Sequence, residues 1–310
     1  MTRTQLTLGA AAAVLVVLVL VLVNPFQDSV RRDNPETTEL AAGDADRIDR
    51  VVIRPPGEDE TVLARDATGW RVASFGDFPA DTAAVAGVIR AIGGIELGGA
   101  VSRNPEKRAI FEVGEEGVKV AASIGDRTVA DFVVGKSHER NPGAGYLRPA
   151  RGDEVYLVPG IGRTLFQRPQ GFADRTLAAF DAAAVASVSV AAADTGWTAT
   201  RSDTVWALHS PDGTEGRARE ALVMTVLRVL GSLTADAVVA EPDTLDTGLD
   251  DPELVYTVHM VGGEAHTVTL GGMDEQNRHY AARGDRDAVY LLNAWRLNAI
   301  RKRAADLLEP

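Results

Sequence analysis

An α+β fold made of two tandem copies of one domain is what this sequence predicts, and three observations predict it. The first is a duplicated stretch. YLRPARGDEVYLV at residues 146–158 returns without a gap at residues 280–292 as YAARGDRDAVYLL, with Tyr, Asp, Val, Tyr and Leu in the same places. The second is a matching apolar pattern upstream, Ile48, Val51, Ile53 against Val185, Val188, Val190, 137 residues apart. The third is that each copy holds one main segment of helical period among several of strand period. No strand–helix alternation supports a parallel, Rossmann-type sheet.

The chain opens on residues 6–23, an apolar run in which Thr7 is the polar interruption and which from Ala10 onward is only Ala, Val and Leu. Eighteen helical residues span roughly 27 Å, close to the hydrocarbon thickness of a bilayer. A buried core helix would show a polar face, and this run has none. A cleaved signal peptide would need small residues at a cleavage site, whereas Asn24, Pro25, Phe26 and Gln27 follow. An uncleaved signal anchor is therefore expected, with residues 1–5 cytoplasmic. Arg3 and the amino terminus flank one side and Arg31 and Arg32 the other, so charge alone does not orient it. A short N-terminus stays inside more readily than a large globule does, which places the domains outside, in the periplasm. Residues 24–45, with Pro25, Pro35 and five acids up to Asp44, form the expected tether.

The two copies are expected over residues 46–177 and 181–310. After each opening strand come Arg65, Thr68 and Trp70 in the first copy and Arg201, Thr204 and Trp206 in the second. A helix follows. Asp81 is its cap in the first copy, Val85, Val88, Ile89 and Ile92 its apolar face and Gly93 its stop; Val223, Val226, Leu227 and Leu230 precede Gly231 in the second, where Arg228 answers Arg90. Strands are expected at residues 118–124 and 128–134, and at 255–261 and 267–270, with Gly125-Asp126 and Gly262-Gly263 as hairpin signals. The duplicated stretch supplies two more strands per copy. Helical tails are expected at residues 162–168 and 294–308.

These residues resemble the domain-of-unknown-function 4340 family in both copies. The likeness rests on the opening strand with Trp70 or Trp206, the helix, Val134-Gly135-Lys136 or Leu270-Gly271-Gly272, the Tyr-to-VYL stretch, and residues 172–177, FADRTL, which close the first copy only. It covers most of residues 46–310. Members are commonly membrane-anchored bacterial proteins associated with auxiliary components of ABC-type transport or gliding-type systems. The resemblance implies location and company, and it brings no catalytic residue set.

Composition narrows the function. With 44 acidic and 32 basic residues the net charge is −12, and nothing offers the basic surface that nucleic acid requires. Cysteine is absent, which removes disulfides, thiolate nucleophiles and Cys-bound zinc. Gly135-Lys136-Ser137 is the tail of a P-loop, but Ala130 stands where that motif needs glycine, so it reads as a strand-to-turn boundary. Arg-Gly-Asp occurs at residues 151–153 and 283–285, two residues out of register between copies, and reads as solvated hairpin tips. His259, His266 and His279 with Glu264 and Asp274 could be gathered into a metal site, and His138-Glu139 into an acid–base pair. No HExxH spacing is present, and surface or turn histidines are expected. Asp246, Asp250, Asp251 and Glu253 lack the spacing of a calcium loop, and no GxSxG elbow occurs.

The expectation is a non-enzymatic, single-pass inner-membrane protein that binds or scaffolds a partner, such as auxiliary subunits of an ABC-type transporter, with no cofactor and no metal. Two copies would allow bivalent engagement. An alternative is an envelope glycan-binding module using Trp70, Trp206, Tyr146 and Tyr280 as stacking platforms. Another is a hydrolase whose site survives in one copy, with a histidine converging on a carboxylate in a pocket.

Overall fold

A computed structural model describes residues 38–39, 44–166, 168–192, 196–203, 205–242, 245–284 and 288–310. The expected anchor, most of the tether, Thr204 and Asp285 lie outside them. Among the described residues no helix is long and apolar enough to cross a membrane.

The elements run β1 (Thr38–Glu39), β2 (Arg50–Arg54), β3 (Thr61–Asp66), β4 (Gly69–Val72), β5 (Phe78–Pro79), α1 (Thr82–Gly93), β6 (Glu96–Leu97), α2 (Arg108–Phe111), β7 (Val118–Ile124), β8 (Arg127–His138), β9 (Asn141–Pro149), β10 (Tyr156–Pro159) and α3 (Pro169–Phe172). They continue as β11 (Val185–Ala192), β12 (Trp197–Ser202), β13 (Val205–His209), β14 (Glu215–Ala218), α4 (Glu220–Leu230), β15 (Ala237–Val239), β16 (Leu254–Met260), β17 (Ala265–Met273), β18 (Arg278–Arg283), β19 (Val289–Asn293), α5 (Ala294–Leu297) and α6 (Ala304–Leu307). The fold is α+β, with an 8-stranded and a 9-stranded sheet, both antiparallel.

Strand order is the same in both: β5-β4-β3-β2-β7-β8-β9-β10 in the first sheet, and β14-β13-β12-β11-β16-β17-β18-β19 in the second, which adds β15 at the far edge. The duplicated stretch pairs in one register, with Leu157 opposite Tyr146 and Leu291 opposite Tyr280. Period-2 alternation makes the strands: in β2, Val51 and Ile53 are buried while Arg50 and Arg54 are exposed. Helix α1 begins where the Asp81 carboxylate accepts from the amides of Ala83 (2.8 Å) and Ala84 (3.1 Å), and it buries Val85, Val88 and Ile92. Helix α4 buries Val223, Val226, Leu227 and Leu230 and stops at Gly231. Each helix closes one apolar core against its own sheet.

Each sheet is framed by the same two straps. The chain leading into it pairs with the segment after the main helix: Glu39 lies opposite Glu96, and Thr176 opposite Thr234. The chain leaving it returns to the residue before that helix. The Asp81 amide donates to the Phe172 carbonyl and the Arg219 amide to the Leu307 carbonyl, both at 2.7 Å. Ala173, Leu177 and Ala178 accordingly pack in the second core, so the linker after Phe172 is built into the second half of the molecule.

The tails differ from the single helices expected. A 3₁₀ turn at Arg163–Leu165 and the four-residue α3 form the first, while α5 and α6 form the second. Between the latter two the chain is drawn onto β12, where Trp197 Nε1 donates to the Lys302 carbonyl at 2.8 Å. A continuous helix would have kept that carbonyl for itself.

The halves are joined by more than the linker. Phe78 on β5 belongs by sequence to the first sheet, but it is 4% exposed within the second core, its ring edge-on to Tyr290 at 5.6 Å and 83°. The loop that delivers it passes so close that a Cβ on Gly76 (φ +58°) would lie 2.2 Å from the Ala240 carbonyl oxygen. Replacing Phe78 with Ala empties this socket and should cost about 3–5 kcal/mol; the check is chemical denaturation, in which loss of a single cooperative transition would further show that Phe78 couples the halves.

Asp236 ties β19 to α5, accepting from the Asn293 amide (2.8 Å) and Arg296 Nε (3.0 Å). Burial opposes its charge, yet these donors hold the carboxyl below the usual aspartate range. Its folded pKa being depressed, the stabilisation is complete above the unfolded value of about 3.9 and disappears as pH falls through the folded value. Asp236→Asn should therefore lower the melting temperature at pH 7, with the deficit shrinking below about pH 4; paired melting curves across pH 2–7 measure it.

Candidate functional site

The β3–β4 hairpin is turned by Asp66, whose carboxylate accepts from Thr68 N and Oγ1, both at 2.6 Å, and from Gly69 N at 3.0 Å. The Thr68 bonds hold the Asp66 carboxyl below its usual range. The turn sets Trp70 directly opposite Arg65, so both side chains emerge on one face. In the second copy β12 and β13 repeat the pairing, with Arg201 opposite Trp206. Each arginine also reaches the short 3₁₀ turn before the opening strand: Arg65 Nη1 to the Asp46 carbonyl at 3.5 Å, and Arg201 Nη1 to that of Ala183 at 2.7 Å.

From this shared scaffold the two copies diverge. In the first, a groove of about 540 Å³ lies between the hairpin and α1, lined by Ala45, Asp46, Ile48, Arg65, Trp70, Thr82, Ala86, Ile89, Arg90, Gly93 and Gly94. That volume suits a small ligand. Its floor is small because Gly93 presses against Ala45, where an added Cβ would sit 2.5 Å from the Ala45 Cβ. Trp70 is half-buried and also walls a second cleft of about 550 Å³, at the junction of the halves, with Arg71, Asp77, Phe78 and Ala288.

In the second copy Trp206 is 1% exposed, and the Arg201 guanidinium lies over its ring at 6.0 Å. The helices align Val85 with Val223 and Ile92 with Leu230, which puts Met224 at the place of exposed Ala86. Met224 is half-buried against the core that holds Trp206. The helix position that is a methyl beside the open groove in one copy carries a longer thioether side chain in the other.

The aromatic residues expected from the sequence are not brought together. Trp206 is core and offers no ring face to solvent. Tyr146 packs half-buried on Phe111 (4.7 Å between ring centres) and near His138 (6.1 Å), and Tyr280 is half-buried on β18. Five strand spacings, about 24 Å, separate Tyr146 on β9 from Trp70 on β4, so the two do not form one platform. What sequence reasoning missed is the pair Asp46 and Ala86, whose only signal was their exchange for Ala183 and Met224 in the other copy.

The remaining motifs find structural roles. Gly135, Lys136 and Ser137 fall within the last four residues of β8, just before the turn at Glu139 and Arg140; a Cβ at Gly135 would meet the Phe111 carbonyl oxygen at 2.1 Å, as one at Gly271 would meet that of Thr247 at 2.2 Å. In the first Arg-Gly-Asp, Asp153 pairs with Arg108. In the second, Arg283 is no solvated tip: its side chain is largely buried and donates to the Thr176 carbonyl at 2.9 Å. His279 departs from the expected surface position too. It is 1% exposed, with Nε2 3.0 Å from Arg301 Nη2 and Nδ1 3.3 Å from the Gly271 carbonyl. His259 is exposed, and His266 stacks on Phe180 (5.2 Å) with Nε2 3.4 Å from Glu264. Among the described residues, three or more His, Cys, Asp or Glu are nowhere grouped as metal ligands.

Fold and groove together define an α+β protein of two like-ordered antiparallel sheets with an open aromatic groove on the first. The chain belongs to the family described as Domain of unknown function (DUF4340), which matches residues 70–252, from Trp70 to the threshold of β16. No curated protein and no solved structure matches it.

Ala86→Met should close the groove while leaving the fold intact, because the other copy already carries Met at that helix position. The expected result is an unchanged melting temperature and reduced acrylamide quenching of Trp70, read in a Trp295→Phe background, since Trp197 and Trp206 are buried away from the quencher.

Proposed function

We propose that this chain is a membrane-anchored, non-catalytic binding and scaffolding protein, its two sheets outside the inner membrane, serving as an accessory of an ABC-type transport complex. The observation that carries the binding part is the divergence at one corner: the same hairpin, arginine and tryptophan recur, but only Trp70 lines an open groove while Trp206 is sealed. A concave, half-apolar groove with an aromatic wall and a few convergent polar groups is the usual make-up of a ligand site. The apolar run at residues 6–23 supports the anchor, and membership of the family supports the company it keeps.

In this reading the first copy meets the partner and the second is its buttress. Engagement is then through one site and not two, and the anchor raises the local concentration of that site at the bilayer surface.

The test uses the full chain in its own membranes. Protease should cut the chain between residues 40 and 65 in intact spheroplasts, and protection until lysis would reverse the orientation. Gentle solubilisation and affinity capture should then recover transporter subunits with wild type and lose them with Ala86→Met. Equal recovery by both would dismiss the groove as the contact, and recovery of no transporter subunit by wild type would dismiss the complex.

A further inference from the structure

We propose that the ligand of the Trp70 groove is an anionic saccharide, a sugar chain bearing carboxylates, as in a uronic-acid polymer. The inference rests on the groove being the binding site of that reading, and it makes the contact with the transport complex one that runs through a saccharide the complex handles.

Five polar or aromatic groups face the groove, and one ligand chemistry uses them all. The Trp70 ring, half-exposed above a floor of small side chains and glycines, is a flat apolar wall. The axial C–H face of a pyranose lies flat on such a ring, where its weakly positive hydrogens meet the negative π-face. Asp46 and Thr82 supply an acceptor and a donor–acceptor for sugar hydroxyls.

The charge decides the class of sugar. The Arg90 side chain is exposed, its guanidinium without a hydrogen-bond or ion-pair partner among the described residues, and the one bond of the Arg65 guanidinium is a long 3.5 Å contact to a neutral carbonyl. In a chain of net charge −12, two guanidiniums free to meet a carboxylate stand beside an open tryptophan. Guanidinium matches carboxylate in bidentate geometry, whereas a neutral sugar would leave that capacity unused. In the closed copy the counterpart of Arg65, Arg201, is already committed, to the Ala183 carbonyl at 2.7 Å and to the face of Trp206, while Arg228, the counterpart of Arg90, stays exposed beside a corner with no open ring. Asp46 is replaced there by Ala183, so the hydroxyl acceptor and the opening are lost together.

Isothermal titration of the full chain in detergent micelles, with hexagalacturonate and with maltohexaose as the neutral counterpart, tests this. Hexagalacturonate should bind, with maltohexaose weaker by about 10- to 100-fold, the worth of a charge-assisted contact. Arg90→Gln should bring the acidic sugar towards the neutral one and leave maltohexaose unchanged. Ala86→Met should abolish both; it stands beside Trp70→Ala because it does not remove a ring that supports the core. Equal affinity for the two sugars, or binding indifferent to Ala86→Met, would overturn the proposal. So would the absence of binding to either, in which case capture of transporter subunits by wild type and not by Ala86→Met would still uphold the groove as a contact.

Discussion

The seating of Phe78 in the second core is the contact on which the arrangement of the molecule depends. The β5 strand that carries it is two residues long and sits at the edge of the first sheet, too short to hold a position through its own ladder. Its fixed place comes from the other half: the Tyr290 ring beside Phe78, the Ala240 carbonyl against Gly76, and the strap that lays Ala173 along Ala80. Because β5 follows the hairpin that bears Trp70, the interface between the halves also fixes one wall of the groove. Removal of the second copy would leave Phe78 in water and the hairpin without its support.

This gives the two copies unequal work. The second buries Trp197, Trp206, Tyr256 and Tyr290 fully, leaving Trp295 of its tail exposed, and it receives both the linker and a side chain from the first. The first leaves its hairpin tryptophan half-exposed where the second seals the equivalent one. A duplicated domain can keep an open site in one copy when the other copy supplies the packing that a small domain lacks. The exchange of Ala86 for Met224 is small in sequence, and its consequence is local because it falls on the helix face turned to the hairpin and not on the stripe that builds the core.

Much of the fold is legible in the order of residues. The opening strands, the helix capped by Asp81, the hairpin at Gly125-Asp126 and the paired strands of the duplicated stretch follow from periodicity and turn chemistry, which are local. The broken C-terminal tail is not legible there, because it is set by Trp197 reaching a carbonyl 105 residues away. Nor is the burial of His279, whose neighbours Gly271, Glu253 and Arg301 come from three separate stretches of chain. Of the site, Trp70 and the two arginines are visible as repeated residues. That Trp206 is core while Trp70 is wall could not be read from a residue type common to both.

By itself, then, the sequence determined a duplicated α+β chain, its main strands, the principal helix of each copy, and the apolar run ahead of them, because each of these is written in the spacing of neighbouring residues. Only the tertiary structure decided which copy is open, which histidine is buried, and how the halves lock. Those outcomes turn on contacts between residues far apart in the chain, where a single side chain such as Met224 or Phe78 either fills a space or leaves it.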